Sequence, residues 1–261
     1  MHRVSRIATW IAWGALTLGP YAARPANRDA LREIVQDQCL VHWQHDHTAA
    51  PCERLVLPHA PHPDGGYAVL KDRKGGAHFL LIPTDTISGA ESPRVLAPGA
   101  PNYFDAAWSA RDRLAAVVGR AVPRTAVGLA LNPRRARSQD QLHIHIECLR
   151  PDVASALRAA AGNIGTRWAA IDLAGSQYRA LRVMGESLAG HEPFALIAQG
   201  LSGARDSLAD DTILVAGMQF EQGPGFAIVA GSGAPAELLL SSVAMRTSGW
   251  ASSRLISSAA A

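Results

Sequence analysis

Gln141-Leu142-His143-Ile144-His145-Ile146-Glu147-Cys148 alternates polar and apolar side chains. On a strand, residues two apart share a face. Gln141, His143 and His145 therefore project together, while Leu142, Ile144 and Ile146 point into a core. The alternation predicts a strand over residues 141–149. Its polar row has three readings. It is a pocket floor, where one imidazole attacks phosphorus while its neighbours hold the ring and the phosphate oxygens. Or it is the wet face of a half-buried strand, or part of a two-histidine metal site.

Working outward, residues 151–161 read as a helix with Asp152 in its first turn, and 125–131 as a strand. The loop 132–140 between the two strands is basic and carries Ser and Gln. Residues 101–118 read as one helix, capped by Asn102 and ended by Gly119, with Phe104, Ala107, Trp108, Arg111 and Leu114 at helical spacing. Further upstream, 67–70 and 77–82 are strands joined by the turn 72–76, and 27–41 is a short helix with Leu31, Ile34 and Val35 on one face. Residues 84–99 are irregular. The order strand, strand, helix, strand, strand, helix predicts an α+β fold on an antiparallel sheet with flanking helices. The last third repeats the rhythm, with strands at 178–185, 212–219 and 225–230 and a helix at 193–201. Internal duplication with a degenerate second half is therefore an expectation.

The bulk numbers agree with a globular domain. The 261 residues are 48% hydrophobic and 18% charged, enough for a sizeable core. The net charge of +3 has no Lys/Arg stripe with interleaved aromatics, so no nucleic-acid partner is expected. No glycine fingerprint of a dinucleotide or P-loop site occurs, and Gly185-Glu186-Ser187-Leu188-Ala189 lacks the second glycine of a nucleophile elbow.

The chain begins with a basic stretch holding Arg3 and Arg6, followed by the uncharged run 7–18 and the small residues Ala22 to Ala26. Residues 1–26 read as a signal peptide or a retained membrane anchor, and the basic start favours sending the rest outward. Cys39 and Cys52 lie thirteen positions apart. In an exported domain a disulfide between them stabilises by about 3 kcal/mol. Cys148 reads as a buried inert thiol. The cluster Cys39, His42, His45, His47 and Cys52 fits no zinc spacing well, so no metal is expected.

The segment 141–146 resembles the histidine-triad signature, and the strand order matches that fold. More narrowly, the chain resembles the CDP-diacylglycerol pyrophosphatase family of bacterial membranes. The stretches 66–72, 80–84, 87–93, 107–112, 138–146 and 148–153 carry this in ordered combination, from about Leu31 to Ala230. The resemblance implies cleavage of CDP-diacylglycerol to CMP and phosphatidate, without metal or cofactor. It makes His143 the nucleophile and His145 its phosphate-binding, ring-orienting partner. Gln141 stands at the first triad position; an amide can position but cannot carry a proton charge. Ser138 matches a phosphate- or leaving-group-contacting serine and Asn132 a pocket asparagine, while Arg137, with Arg134 and Arg135, offers phosphate contacts. A further histidine expected after strand two is absent, with Thr86 near its place. The implied layout is an anchor at 1–26, a catalytic domain at 27–240 divided at 165/166, and a fraying tail at 241–261. The implied location is the inner membrane, with the domain on the periplasmic side. The rivals are a histidine-triad hydrolase or nucleotidyl transferase of a soluble nucleotide, and an exported nucleotide- or headgroup-binding module. Oligomeric state is not legible.

Overall fold

The structure, a computed structural model, describes residues 27–58, 65–73, 75–201, 203, 208–232 and 234–240. The expected anchor at 1–26 and tail at 241–261 lie outside them. Nine strands form one sheet: β1 (Arg54–Val56), β2 (Tyr67–Lys71), β3 (Phe79–Pro83), β4 (Val127–Leu131), β5 (Ile144–Cys148), β6 (Ala169–Leu173), β7 (Ser176–Met184), β8 (Thr212–Phe220) and β9 (Gly223–Gly231). The order across the sheet is β1-β2-β3-β5-β4-β8-β9-β7-β6. Every pairing is antiparallel. The central strands β3, β4 and β5 are buried along their whole length. At the β6 edge the burial alternates, as on a strand with one wet face.

The helices are α1 (Ala30–Glu33), α2 (Leu40–Asp46), α3 (Tyr103–Ser109), α4 (Asp112–Val118), α5 (Pro151–Ala159) and α6 (Pro193–Gly200). A π-helical segment, Ile34–Cys39, joins α1 to α2. On one sheet face, Phe79, Leu81, Leu129, Ile144, Ile146 and Ile228 pack against Phe104 and Trp108 of α3, Leu114 of α4 and Phe194 of α6. The other face has two separate covers. Leu31 and Val35 of the amino-terminal helix sit on Leu70, Leu80 and Ile82. Val153 and Leu157 of α5 sit with Leu214 and Val229. The functional site occupies the gap between these covers, above β5 and β4.

The two halves share one topology. Strands β2, β3, β4 and β5 run 2-3-5-4 across the sheet; β6, β7, β8 and β9 run 6-7-9-8. The third strands of the two sets, β4 and β8, pair at the centre, with Leu129 opposite Val215. Among the described residues the first set alone carries a histidine on a strand, His145 of β5, with His78 and His143 just ahead of β3 and β5.

Several expected boundaries move. The helix expected over 101–118 breaks into α3 and α4. The Arg111 guanidinium takes the Trp108 carbonyl at 2.7 Å and stacks over the Trp108 ring at 4.2 Å, drawing that carbonyl out of the helical ladder. The amino-terminal helix runs on to Asp46, ending on His47 at a φ of 58°. The edge strands β1 and β6 were not expected. The first is three residues long, and the second is built from Ala-Ala-Ile-Asp-Leu, a sequence poor in β-formers. It is held by a tight turn in which Ala174 and Gly175 both have positive φ.

The strand expected over 141–149 pairs as a named ladder only from Ile144 to Cys148. Leu81 is the last β3 residue opposite it, facing Ile144. Beyond lies Pro83, which has no N–H to offer a neighbour. Gln141, Leu142 and His143 therefore leave the ladder. Leu142 donates instead to the Ile87 carbonyl at 2.6 Å. The nucleophile candidate thus stands at the end of its strand.

Candidate active site

His145 lies directly opposite Leu80 on one side and Ala130 on the other, so its ring rises from the face left bare between the two helical covers. His143 is two residues earlier on the same face. Both rings are buried, with centroids 5.1 Å apart, and both line a cavity of about 780 Å³.

His143 has a defined tautomer. Its Nδ1 is 2.7 Å from the Gln141 carbonyl oxygen. A carbonyl only accepts, so Nδ1 carries the proton and Nε2 keeps its lone pair. Burial lowers the His143 pKa below its ordinary value, more than the Gln141 carbonyl raises it, and the charge of Arg137 lowers it further. The ring is neutral, with an unprotonated Nε2.

The expected row of three does not form as a row. Gln141 turns away, and its amide donates to the carbonyls of Pro83 at 3.0 Å and Asp85 at 2.8 Å. The same residue supplies the carbonyl that sets His143, so its place in the site is to hold that carbonyl still.

His145 belongs to a longer chain that sequence reading missed. Its Nδ1 is 2.8 Å from Nε2 of His78, and the two rings stack at 5.0 Å. Nδ1 of His78 is 3.4 Å from the Asp72 carboxylate. On the other side, Nε2 of His145 is 3.4 Å from the Asn132 amide nitrogen. The Asn132 oxygen accepts from the backbone N–H of Glu237 at 3.3 Å, which fixes the amide's direction. One assignment satisfies every link: Asn132 donates to His145, His145 to His78, and His78 to Asp72. His145 then presents an unprotonated Nε2, as His143 does. Burial, then the neighbouring histidines, hold its pKa well below the usual value.

The pH behaviour follows. Both histidines are lowered on folding, so they favour the folded state fully above about pH 6.5. That stability is lost as the pH falls through their lower folded pKa values. His143 protonates in the same window. In kcat/KM the acid limb therefore has its midpoint below pH 6.5, and a pH–rate profile checks it. A midpoint at or above the ordinary histidine value contradicts the buried, neutral ring.

The loop from β4 to β5 forms a polar rim. Ser138 and Asn132 line the cavity, as expected of substrate contacts. Arg137 does not join them. Its guanidinium grips Glu91 through two bonds of 2.7 Å and reaches Asp140 at 3.2 Å. Burial pushes the Glu91 carboxyl up, but Arg137, its own backbone N–H and Ser88 outweigh it and hold it at about 2. Asp140, bonded by Arg28 and then Arg137, is also held at about 2. Arg137 thus braces the loop. Arg135 donates to the Asp210 carbonyl, away from the cavity lining.

Glu237, on a short turn near the carboxyl end, also lines the cavity, with a carboxylate oxygen 4.0 Å from Nε2 of His145. Its turn is carried to the site by a bridge from Leu240 to Leu149, which follows β5. Cys39 and Cys52 are joined as a disulfide, which removes both thiolates from any metal reading of their cluster. Cys148 is free and buried, its thiol pushed up to about 11 by burial and then by Glu147, as an inert core thiol should be. Among the described residues no helix is long and apolar enough to cross a membrane. The model of the CDP-diacylglycerol pyrophosphatase family matches residues 26–244.

Proposed function

The chain belongs to the CDP-diacylglycerol pyrophosphatase family and hydrolyses the pyrophosphate bond of CDP-diacylglycerol, and we propose that His143 is the nucleophile of that reaction. The observation that carries the proposal is the bond from His143 Nδ1 to the Gln141 carbonyl, which leaves Nε2 free and neutral at the cavity.

In the first step the Nε2 lone pair attacks the phosphorus bonded to cytidine. A P–N bond forms, the bond to the bridging oxygen breaks, and its electron pair leaves on phosphatidate. In the second step water attacks the same phosphorus. The P–N bond breaks, its pair returns to Nε2, and CMP departs. Once the Asn132 amide turns from it to the phosphate, the unprotonated Nε2 of His145 is free to take the water's proton, with the His78–Asp72 pair behind it to stabilise the charge. Ser138 and the Asn132 amide supply donors to the phosphate oxygens. Arg137 acts by holding the loop that carries Ser138.

Hydrolysis in heavy-oxygen water tests the assignment of the attacked phosphorus. The label is expected in CMP alone. Label in phosphatidate places the attack on the other phosphorus and overturns this mechanism.

The location is part of the same proposal. The basic start and the uncharged run 7–18 suit a membrane anchor that sends the domain to the periplasmic side. The Cys39–Cys52 disulfide suits an oxidising compartment.

A further inference from the structure

Among the described residues the strands β6 to β9 carry no histidine, yet the chain that follows them delivers one carboxylate to the cavity, that of Glu237. Glu237 sits on the short turn Ala236–Leu239, which is fixed from several sides. Ala236 and Leu239 are buried in one core with Val153 and Leu157 of α5. The Arg150 N–H donates to the Leu239 carbonyl at 3.1 Å, and its guanidinium donates to the Leu238 carbonyl at 2.9 Å. The Glu237 N–H itself donates to the Asn132 oxygen. The backbone beneath the carboxylate is therefore held, although the side chain is half exposed.

Oε2 of Glu237 stands 4.0 Å from Nε2 of His145. In the tautomer fixed by the chain from Asn132 to Asp72, that nitrogen carries no proton. Two acceptors thus face each other, and only a group with two hydrogens can satisfy both. A water bonded to each at about 2.8 Å spans this gap with an angle of about 90° at its oxygen, close to the angle between its own hydrogens. Its lone pairs then remain for phosphorus. The Asn132 amide nitrogen, 3.4 Å from the same Nε2, opens that approach when it turns to the phosphate.

Given the mechanism proposed above, on which this rests, we infer that Glu237 is a further catalytic residue: with His145 it grips the attacking water, one hydrogen each, and aims the water's oxygen at the phosphorus of the cytidylyl group. As that oxygen attacks, one hydrogen passes as a proton to Nε2 of His145. The P–N pair returns to His143, and the other hydrogen departs on CMP. The imidazolium formed at His145 has Glu237 on one side and Asp72, through His78, on the other. The same carboxylate repels phosphate oxygens and so keeps this place for a neutral molecule. An alcohol has a single hydroxyl hydrogen. Bonded to His145, it turns carbon against the carboxylate and desolvates it without a partner. The pair therefore selects water over alcohols.

The full chain is given CDP-diacylglycerol in detergent micelles with methanol present, and CMP and its methyl ester are separated. Their ratio reports the choice made at the second step, whichever step limits turnover. In Glu237→Ala the ratio of ester to CMP is expected to rise about tenfold over wild type. Hydrolysis of the cytidylyl group slows about thirtyfold, the size of a hydrogen bond to a charged group, so more of the rapidly quenched enzyme carries it. Glu237→Gln keeps an acceptor for the water, and its ratio stays within about threefold of wild type. Melting curves show that each variant is folded. A ratio unchanged in Glu237→Ala, or an adduct no more abundant than in wild type, overturns the role of Glu237. Wild-type enzyme that turns over with neither ester nor adduct sinks the covalent mechanism itself. Wild-type enzyme that carries the adduct, with no response in Glu237→Ala, sinks only the grip on the water.

Discussion

His143→Ala lowers kcat for CDP-diacylglycerol by about 10⁴-fold or more, a loss of about 5.4 kcal/mol of transition-state stabilisation. The size follows from what is removed. In the proposed mechanism the ring forms the bond to phosphorus, and the remaining donors only steady the phosphate. Substrate binding should survive, because the other residues lining the cavity are untouched. KM should therefore change far less than kcat. The fold should also survive. His143 lies beyond the paired part of β5, and its ring borders the cavity, so truncation frees one carbonyl, at Gln141, next to open space. His143→Gln, whose amide can still donate to that carbonyl, guards against a structural explanation. CMP release and a melting curve on both variants are the measurements. Turnover within about tenfold of wild type in either one shows that another group attacks.

Removing the Cys39–Cys52 bridge has the largest expected effect on stability. The bridge closes a loop with thirteen positions of sequence separation. In the chain-entropy account its loss costs about 3 kcal/mol. For a domain of this size that lowers Tm by about 6–12 °C. The Cys39→Ser, Cys52→Ser double variant shows this in calorimetry, and reductant on the wild-type chain reproduces it. The effect reaches the site because the bridge pins the helix whose Leu31 lines the cavity. Leu31, Val35, Cys39 and Cys52 share one small core with Leu70 and Leu80. That core is the smallest of the three apolar clusters, and it holds the helix together with Arg28–Asp140 and the bond from the Leu31 N–H to Gln139. Activity on the lipid substrate should fall with the bridge gone. A Tm unchanged by both substitution and reductant contradicts the clamp.

The parts of this site that could be read in the sequence are those that lie close together along the chain. The alternation in 141–148 marks His143 and His145 as sharing a face, and the structure places both on the cavity. The strands and the helix–strand order follow from periodicity, which burial enforces on each element separately. What could not be read depends on register and on distant pairing. His78 becomes a partner of His145 only because Leu80 falls opposite His145 across two strands. The signal available was weak: His78 is a single polar residue on a strand otherwise apolar and shares a face with Leu80. Glu237 arrives from the second half of the chain through the Leu149–Leu240 bridge, which no local pattern announces. Gln141 and Arg137 show the converse. The alternation offered Gln141, and the need for phosphate or headgroup contacts offered Arg137, yet the carbonyls of Pro83 and Asp85 take the amide, and Glu91 takes the guanidinium. Both residues position the site from outside the cavity.

The central claim is that the reaction passes through a covalent cytidylyl group on one ring nitrogen. Rapid quenching of the enzyme during turnover of CDP-diacylglycerol, followed by mass spectrometry of its peptides under conditions that spare P–N bonds, tests this directly. A cytidylyl adduct on the peptide holding His143, formed no slower than CMP appears and absent in His143→Ala, is the predicted result. An adduct on another residue, or none while phosphatidate is released in a burst before CMP, contradicts it.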